Sequence, residues 1–434
     1  MGHTGRMRTI EEHRRDVTAL LGDVAAAAEA EELSITATEM AAHPERYLQR
    51  ILAEDVIAPS SLPAFDNSQM DGYAVRASDL ASARTDAPAA LAVAPRIAAG
   101  DAFGTHAPGT ATPIMTGAPV PDGADAVVQI EKADPAAFYE DDGLSRTVAF
   151  SEAVPAGLFV RRAGSDVSEG DVLLRAGTVL GPAQYGVVSG SGATAVAVRR
   201  RLRVLLVSTG HEIREPGAML EPGQIFDANS YGLTAALLAI GCAVTPIPCR
   251  SDDAEDLLEL LEREAAAVDL IVTVGGVSAG AREVVRDALA PLGVEFMKVA
   301  MQPGGPQGFG MASVPQAEGR ASVDRPVISL PGNPVSALVS FEAFVRPALL
   351  AAAGARTTAR ELRRGVVTEA FDSPPNHHQL RRGLVREDGT LELVGGPSSH
   401  LLHSYAGSTV LVHVPVGVTS VAAGDELDYW RIDG

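Results

Sequence analysis

LRVLLVST (Leu202–Thr209) is the apolar stretch from which the fold of this chain can be worked out. Two further apolar stretches follow it, DLIVTV (Asp269–Val274) and PVISL (Pro326–Leu330), with helical patterns between them. Strands that are apolar at nearly every position are typical of a parallel sheet covered on both faces, because neither side of the strand meets water. The sequence therefore predicts a doubly wound, parallel-sheet α/β domain over residues 201–352.

The segments on either side of this domain have a different pattern. Residues 63–152 contain short β-prone runs separated by Gly, Pro and Asp, which predicts a β-rich inserted domain. It interrupts a discontinuous N-terminal domain made of residues 8–62 and 153–200. Residues 353–434 contain only short strands and predict a small β-barrel or sandwich, of which we take the barrel as the prediction. The expected fold class is thus multidomain, part α/β and part β.

The charge balance limits the partners of the chain. Its 434 residues include 35 Lys and Arg against 55 Asp and Glu, a formal net charge of −20, which argues against binding to nucleic acid or an anionic membrane. Two cysteines are too few for a disulfide framework and indicate a reducing, cytoplasmic location. Because no run of about 18 uncharged apolar residues occurs, we expect no membrane span.

Four glycine-rich loops follow the predicted strands of the α/β domain. They are STGHE (208–212), GGVSAG (275–280), KVAMQPGG (298–305) and LPGNP (330–334). In an open parallel sheet, ligands bind beyond the carboxyl ends of the strands, and loops that begin helices direct N–H groups at anions. Each loop alone fits an ordinary turn. Together they predict a site for a phosphate-bearing ligand, with substrate-binding residues Gly275, Gly276, Pro331, Gly332 and Asn333.

Carboxylates near these loops indicate a metal. Glu212, Asp227 and Glu283 follow the strands or precede the helices, and Mg²⁺ prefers such oxygen ligands beside a phosphate. The alternatives are a helix cap for Asp227 and a solvated first-turn charge for Glu283. Lys298, one of only two lysines with Lys132, is predicted to end a buried strand, where a compact ammonium would serve the site; the alternative is a lysine without a particular role.

Two motifs in the first 150 residues have no chemistry that follows from their residues alone. PAFDNSQMDGYAV (Pro63–Val75) places two carboxylates between two aromatic residues, which is more than a turn requires. IMTGAPVPDGADAVVQIE (Ile114–Glu131) is unusual in its Thr-Gly and Pro-Asp-Gly content.

These strings together resemble the MoeA-type molybdopterin molybdenumtransferases, which are related to the E domain of gephyrin. The resemblance covers residues 8–434 and is carried, in order, by FDNSQMDGYAV, IMTGAPVPDGADAVVQ, RRAGSDV, STGHEI, GQIFDAN, GGVSAG and LPGNPVSA. It implies insertion of molybdate into adenylylated molybdopterin, with Mg²⁺-dependent release of AMP. It also implies an elongated homodimer, in which the α/β domain of one subunit and the inserted domain of the other form the active site.

The resemblance also implies roles for individual residues. Asp227 and Glu283 would be the metal-side carboxylates, and Glu212 a further acidic group of the pocket. Positions associated with molybdate and substrate-phosphate binding are matched by Ser278, Lys298, Pro303, Arg382 and Ser399. Positions that would face the cleft from the partner subunit are matched by Asp66, Thr116 and Asp166.

The chain departs from the family pattern at two places. Glu283 is one methylene longer than the aspartate that many relatives carry. Gln302 and Gly305 stand where relatives have lysines, which reduces the positive charge at the molybdate site. Two alternatives to metal insertion therefore stay open: a non-catalytic scaffold that binds molybdopterin or molybdate, and adenylyl transfer to molybdopterin.

Overall fold

The structure is a computed structural model that describes residues 7–22, 24, 29–140, 144–277, 283–316 and 321–433. The elements of the first 200 residues are α1 Ile10–Leu20, β1 Ala30–Ser34, α2 Ala37–Ala42, α3 Pro44–Tyr47, β2 Val56–Ile57, β3 Asn67–Ser68, β4 Gly72–Val75, β5 Ala89–Val93, β6 Thr110–Ile114, β7 Ala126–Gln129, β8 Ala133–Asp134, β9 Thr147–Phe150, β10 Val160–Arg161, β11 Val172–Leu174, α4 Pro182–Gly190 and β12 Ala195–Arg199. Single 3-10 turns lie at Ala77–Leu80 and Ile130–Lys132.

Within this part, one sheet is local and three strand pairs are long-range. The local sheet has the order β7-β4-β6-β5-β9-β8 and its apolar core includes Tyr73 and Phe150. The long-range pairs are antiparallel and join β1 with β12, β2 with β11 and β3 with β10. The strands before the local sheet therefore pair with the strands after it.

The elements of the central part are β13 Arg203–Ser208, β14 Ile213–Arg214, β15 Ile225–Phe226, α5 Ala228–Ala239, β16 Ala243–Pro246, α6 Ala254–Glu264, β17 Leu270–Val274, α7 Val284–Leu289, β18 Glu295–Lys298, β19 Met301–Gln302, β20 Pro306–Val314, β21 Val323–Leu330, α8 Pro334–Ser340 and α9 Arg346–Ala352. A π turn, Phe341–Val345, joins α8 to α9, and 3-10 turns lie at Ala265–Ala267 and Ala290–Leu292.

The central sheet has the order β16-β13-β17-β21-β20-β18. Its first four strands are parallel. The edge strand β16 is mostly exposed, whereas β13, β17 and the second half of β21 are buried, because α1, α5 and the α8–α9 helix cover one face and α6 and α7 cover the other. The predicted doubly wound parallel sheet is confirmed. The order places β16 and β17 on opposite sides of β13, so the connections reverse direction there, and such a switch point is where doubly wound sheets bind ligands.

Strand β20 was not predicted. It is antiparallel to β21, and its glycines lower the β-propensity of the segment. The packing requires these glycines: a Cβ on Gly308 would lie 2.7 Å from the Phe296 ring, and one on Gly310 would lie 2.6 Å from the carbonyl oxygen of Gly293. Because larger side chains would clash at these two positions, the strand lacks the β-branched and aromatic residues from which a strand is predicted.

Helix α1 lies in residues 8–62, which were predicted to belong to the discontinuous N-terminal domain, but it packs against the central domain. Val17 and Leu21 lie in the core shared with α5 and α9, and Ile10 contacts the other side of the α8–α9 helix. The helix therefore belongs by its contacts to the central domain. A capping box begins the helix, since Thr9 Oγ1 accepts from Glu12 N at 3.1 Å and Thr9 N donates to Glu12 Oε2 at 2.9 Å.

The α8–α9 helix, Pro334–Ala352, is long and apolar enough to cross a membrane by length and composition, but 72% of it is buried inside the protein. One side packs on the central sheet, and the other packs on Leu380, Leu411 and Trp430 of the C-terminal part. Its apolar character is accounted for by these two cores.

The elements of the C-terminal part are β22 Leu362–Val366, β23 Phe371–Asp372, β24 His378–Val385, β25 Leu391–Leu393, α10 Leu402–Ala406, β26 Val410–Val414, β27 Ser420–Val421 and β28 Glu426–Arg431. The strands follow the order β24-β26-β28-β22, and β25 pairs with β24. A bridge between Val367 and Leu391 connects the end of β22 to β25 and closes the barrel. Strand β19 of the central part pairs with β24 and attaches the barrel to the loop that precedes β20.

Candidate active site

A cleft of about 910 Å³ lies beyond the carboxyl ends of β13, β17 and β21. The loops after these strands form its floor, and the loop before β20 and a loop of the C-terminal barrel form one wall. The predicted convergence of glycine-rich loops at one edge of the sheet is therefore observed among the described residues.

Gly275 and Gly332 allow the loops at the floor to pack closely. Gly275 has φ +100°, and a Cβ there would lie 2.9 Å from both the carbonyl oxygen and Oγ1 of Thr209. A Cβ on Gly332 would come within 3.3 Å of the Gly275 Cα. Asn229 Nδ2 donates to the Gly332 carbonyl at 2.7 Å and fixes this loop to the start of α5.

Asp227 is buried at the edge of the cleft and caps α5. Its Oδ1 accepts from the backbone N–H of Ser230 at 2.9 Å, so the helix-cap role given above as the alternative for Asp227 is observed. Its Oδ2 accepts from the hydroxyls of Ser208 at 2.7 Å and Ser230 at 2.6 Å. This network fixes the carboxylate. The two hydroxyls use both lone pairs of Oδ2, and Oδ1 retains one lone pair that a cation can use.

Glu212 and Glu283 add two more carboxylates to the cleft lining. The carboxylate of Glu212 folds back over Gly210, where a Cβ would lie 2.6 Å from Oε2. Glu283 occupies the cap position of α7. The described lining thus contains three carboxylates, and neither Lys nor Arg is part of it. Carboxylate oxygens are the ligands that Mg²⁺ prefers. Among the described residues, no group of three or more His, Cys, Asp or Glu is arranged to hold a metal ion.

The barrel reaches the cleft through Ser399. Its hydroxyl accepts from Asn333 Nδ2 at 2.9 Å, and its carbonyl accepts from Val335 N at 3.3 Å. Arg382 is buried behind this loop and donates to the carbonyls of Gly396 and of Ser398. Burial lowers the pKa of Arg382, and neighbouring Arg381 adds to the effect. Arg382 therefore positions the loop and is not itself part of the lining.

Ten of the predicted site residues line the cleft: Glu212, Asp227, Gly275, Gly276, Glu283, Pro303, Pro331, Gly332, Asn333 and Ser399. Ser278 lies outside the described residues. The lining also includes two amides that were not predicted as site residues, Asn229 and Gln302. Asn229 follows Asp227 by two positions in GQIFDAN, which is the signal that could have identified it.

Lys298 is not at the cleft. It is exposed at the end of the edge strand β18 and lines a separate surface depression with Arg8 and Glu12. The prediction that Lys298 ends a buried strand was wrong, because β18 lies at the edge of the sheet.

Asp66, Thr116 and Asp166 lie in the first 200 residues and do not line the cleft of their own chain. Asp66 accepts from Arg162 Nη1 and, at 2.8 Å, from the backbone of Ala163. Thr116 donates from its backbone and its hydroxyl to Asp71, at 2.7 and 2.8 Å, and these bonds lower the pKa of Asp71.

Models of known protein families match nearly the whole chain. The MoeA N-terminal region (domain I and II) matches residues 8–192, the probable molybdopterin binding domain matches residues 205–351, and the MoeA C-terminal region (domain IV) matches residues 364–432. The central sheet and its cleft thus define a protein of the molybdopterin-binding class, and the two flanking parts are those of MoeA.

Individual relatives give the same result. Molybdopterin molybdenumtransferase 2 of Mycobacterium tuberculosis is 44% identical over 88% of this chain and 92% of its own length. The molybdopterin molybdenumtransferase of Haemophilus influenzae is 34% identical over 87% and 89%. The crystal structure of a MoeA protein from Pyrococcus horikoshii superposes with a TM-score of 0.71 at 29% identity, over 96% of this chain and 99% of that one. The chain belongs to the molybdopterin molybdenumtransferase family, whose members are transferases of molybdenum cofactor biosynthesis.

Proposed function

We propose that this chain inserts molybdate into adenylylated molybdopterin and releases AMP in a Mg²⁺-dependent reaction. The observation that carries the proposal is the composition of the cleft, where three carboxylates stand among loops that begin helices. Such loops present backbone N–H groups to phosphate oxygens, and carboxylates attract the divalent cation that accompanies a pyrophosphate. The names of the relatives, molybdopterin molybdenumtransferases, support the same reaction class.

Different residues of the cleft would bind the metal and the phosphate groups. Asp227 and Glu283 would hold Mg²⁺, which supplies charge neutralisation at the pyrophosphate, and Glu212 would contribute a further acidic group at the same end. The Gly275–Gly276 and Pro331–Asn333 backbone would bind phosphate oxygens. Ser208 and Ser230 orient the Asp227 carboxylate through their hydroxyls, so the metal-side oxygens are fixed before substrate arrives.

A homodimer would complete the site. Helix α5 carries no charged residue, and Tyr231 and Leu238 on its outer surface are 55% and 53% exposed. In the segment that leads into the helix, Met219 is 95% exposed and Phe226 is 45% exposed. Large apolar side chains grouped in this way indicate a surface that another protein covers. A second copy placed there would offer Asp66, Thr116 and Asp166 to a cleft that they do not reach in their own chain.

We further propose a cytoplasmic location for this reaction. Cys242 and Cys249 are buried as free thiols, and burial raises the pKa of Cys242 to about 12 and also that of Cys249. Such thiols are structural and unreactive, as suits a protein that needs no disulfide.

The test is to supply adenylylated molybdopterin, molybdate and Mg²⁺ and to follow AMP by chromatography. Molybdate-dependent AMP release is expected. Binding without AMP release would favour the scaffold. In a parallel reaction with ATP and molybdopterin, formation of adenylylated molybdopterin would favour the adenylyltransferase.

Asp227→Asn is the informative variant. Asn is an equally good helix cap, so α5 is preserved while the charge is removed. We expect AMP release to fall about 100-fold or more, as for loss of other groups that act electrostatically on a transition state. Asp253→Asn is the matched control, because Asp253 caps α6 outside the cleft by accepting from Glu255 N at 3.0 Å. Equal rates for the two variants would contradict the metal role of Asp227.

A further inference from the structure

A second cavity lies where the three parts of the chain meet, at the end of α5 that is away from the cleft. Its volume is about 860 Å³, which is within the range of small-molecule sites. The C-terminal end of α5 and the α8–α9 helix line it, together with α10 of the barrel and the segments at Gln49 and Val179. None of its described lining residues lines the cleft. The cavity is therefore a separate candidate site.

Three charged side chains of this cavity form one group. Glu342 accepts from Arg360 Nε at 2.6 Å and from Arg360 Nη2 at 3.1 Å, which engages both carboxylate oxygens. Arg346 Nε lies 4.0 Å from Glu342 Oε2, and Arg346 Nη1 donates to the Thr358 carbonyl at 3.1 Å. One carboxylate thus serves two guanidinium groups, and it is bonded closely to only one of them.

Asp433, the other carboxylate of the described lining, does not supply the missing negative charge. Its Oδ1 and Oδ2 accept from Arg431 at 2.9 and 2.5 Å, and these hydrogen bonds lower the pKa of Asp433. Arg346 is therefore the surplus cation of the cavity, although its side chain is only 19% exposed. Burial lowers the pKa of Arg346, and the charge of Arg360 adds to the effect. A bound anion would relieve this unfavourable arrangement.

Tyr405 adds a hydrogen-bond donor to the cavity. Its ring packs against the apolar cluster that the α8–α9 helix shares with the barrel, and its hydroxyl has no hydrogen-bond partner within the described ranges. Burial, reinforced by the charge of Glu342, raises the pKa of Tyr405, so the hydroxyl keeps its proton. The helical side of the cavity is apolar and is lined by Ala236, Ala239, Ile240, Leu338, Phe341 and Leu350.

We propose that this cavity binds a small amphipathic monoanion, with its carboxylate on Arg346 and the Tyr405 hydroxyl and its apolar body against α5 and the α8–α9 helix. A guanidinium has five N–H donors, and Arg346 uses one of them for the Thr358 carbonyl, so donors remain for both oxygens of a carboxylate. Because such a ligand would contact the central domain and the barrel together, it should also raise the melting temperature.

The test is titration calorimetry of the full-length protein at pH 7.5 with phenylbutyrate as the probe. Phenylbutanol has the same apolar body without the charge, and butyrate has the same head without the ring. We expect saturable binding of phenylbutyrate, and binding about 10-fold weaker or more for phenylbutanol, because a charge-assisted hydrogen bond is lost. Butyrate should show no saturable binding, because the ring provides most of the apolar area that is buried.

Two variants test the residues that would hold the carboxylate. Arg346→Met removes the charge and keeps an apolar stem, so phenylbutyrate should bind no more tightly than phenylbutanol. Tyr405→Phe should weaken phenylbutyrate binding roughly threefold to tenfold, the effect of one lost hydrogen bond, and leave phenylbutanol binding as in the parent. Arg386→Met is the matched control, because Arg386 is exposed, pairs with Glu392 at 2.9 Å and does not line the cavity.

Ala239→Trp keeps the test decisive if Arg346→Met does not fold. Ala239 is the last residue of α5 and is exposed, so an indole ring there can enter the cavity without displacing the core. We expect this variant to keep the melting temperature of the parent and to lose the binding of both phenylbutyrate and phenylbutanol.

Four results would overturn the inference: equal affinity of the parent for phenylbutyrate and phenylbutanol, an unchanged preference in Arg346→Met, parent-like binding by Ala239→Trp, or no saturable binding of phenylbutyrate. A probe affinity that falls as the protein concentration rises would overturn it as well, because a second copy of the chain would then fill the cavity. AMP release is not a readout of this test, so each of these results leaves the proposed reaction standing.

Discussion

His13 should make this protein sensitive to mild acid, and His13→Leu should remove part of that sensitivity. The side chain is fully buried on α1, with its ring centroid 4.6 Å from that of Phe344 and 5.3 Å from that of Phe309. Neither ring nitrogen has a hydrogen-bond partner among the described residues. Burial, reinforced by the charge of Arg8, lowers the pKa of His13 to about 3.

The sign of the effect follows from the lowered pKa. The unfolded chain takes up a proton on this histidine near pH 6.5, and the folded chain does so only near pH 3. The neutral ring therefore contributes its full stability above pH 6.5, and the free energy of unfolding falls as the pH drops from 6.5 toward 3. At about 1.4 kcal/mol per pH unit, the loss is about 2 kcal/mol at pH 5.

The assay is urea unfolding at pH 7.5 and pH 5.0, followed by the fluorescence of Trp430. This is the single tryptophan of the chain, and it lies in the same apolar cluster as Phe344 and Ile10. Between the two pH values, the parent should lose about 2 kcal/mol more stability than His13→Leu. At pH 7.5 leucine should be neutral or stabilising, because two buried nitrogens without partners are removed.

Exposed His403 provides the matched control. His403→Leu makes the same chemical change on the surface and should leave the pH response as it is in the parent. Identical losses in the parent and in His13→Leu would refute the reasoning, because they would show that the buried ring does not resist protonation.

Two further predictions concern stability. Burial alone would raise the pKa of Asp269, but hydrogen bonds from Arg203 and Arg200 lower it well below its usual range. Asp269→Asn should therefore lower the free energy of unfolding by about 2–3 kcal/mol in urea unfolding at pH 7. The difference should become much smaller once the pH falls below the pKa of the carboxyl in the folded protein. Thr9→Ala removes the cap of α1 and should cost about 1 kcal/mol in the same measurement, with Thr9→Ser, which keeps the hydroxyl, close to the parent.

The sequence was sufficient to predict the parallel part of the sheet and the edge at which its loops meet, because both follow from local apolar patterns and from a general rule of such sheets. It did not predict β20, where Gly308 and Gly310 are needed because a Cβ would clash with neighbouring residues that are distant from the strand's own pattern. The position of Lys298 depends on which strand lies at the sheet edge, and strand order is a long-range property that periodicity does not contain.

The cleft was predicted in outline for the same reason. Asp227 was recognised as a carboxylate beside a loop, but its hydrogen bonds to Ser208 and Ser230 depend on two segments that meet only in the folded chain. The amide of Gln302 could not be interpreted from sequence, because its direction is set by Gln379, 77 positions away. The catalytic and metal roles of these residues stay predictions until the variants are measured.

The α8–α9 helix makes the central domain depend on the C-terminal barrel. Val335, Val339, Ala343 and Phe344 form the side that faces the C-terminal barrel, and the opposite side is committed to the central sheet. Removal of the barrel would turn that side into an apolar surface patch, which promotes aggregation. The barrel consequently cannot be removed or exchanged without changes to this helix. A free-standing version of the central domain would have to replace one whole side of this helix with polar residues, so the two parts are bound to change together over evolutionary time.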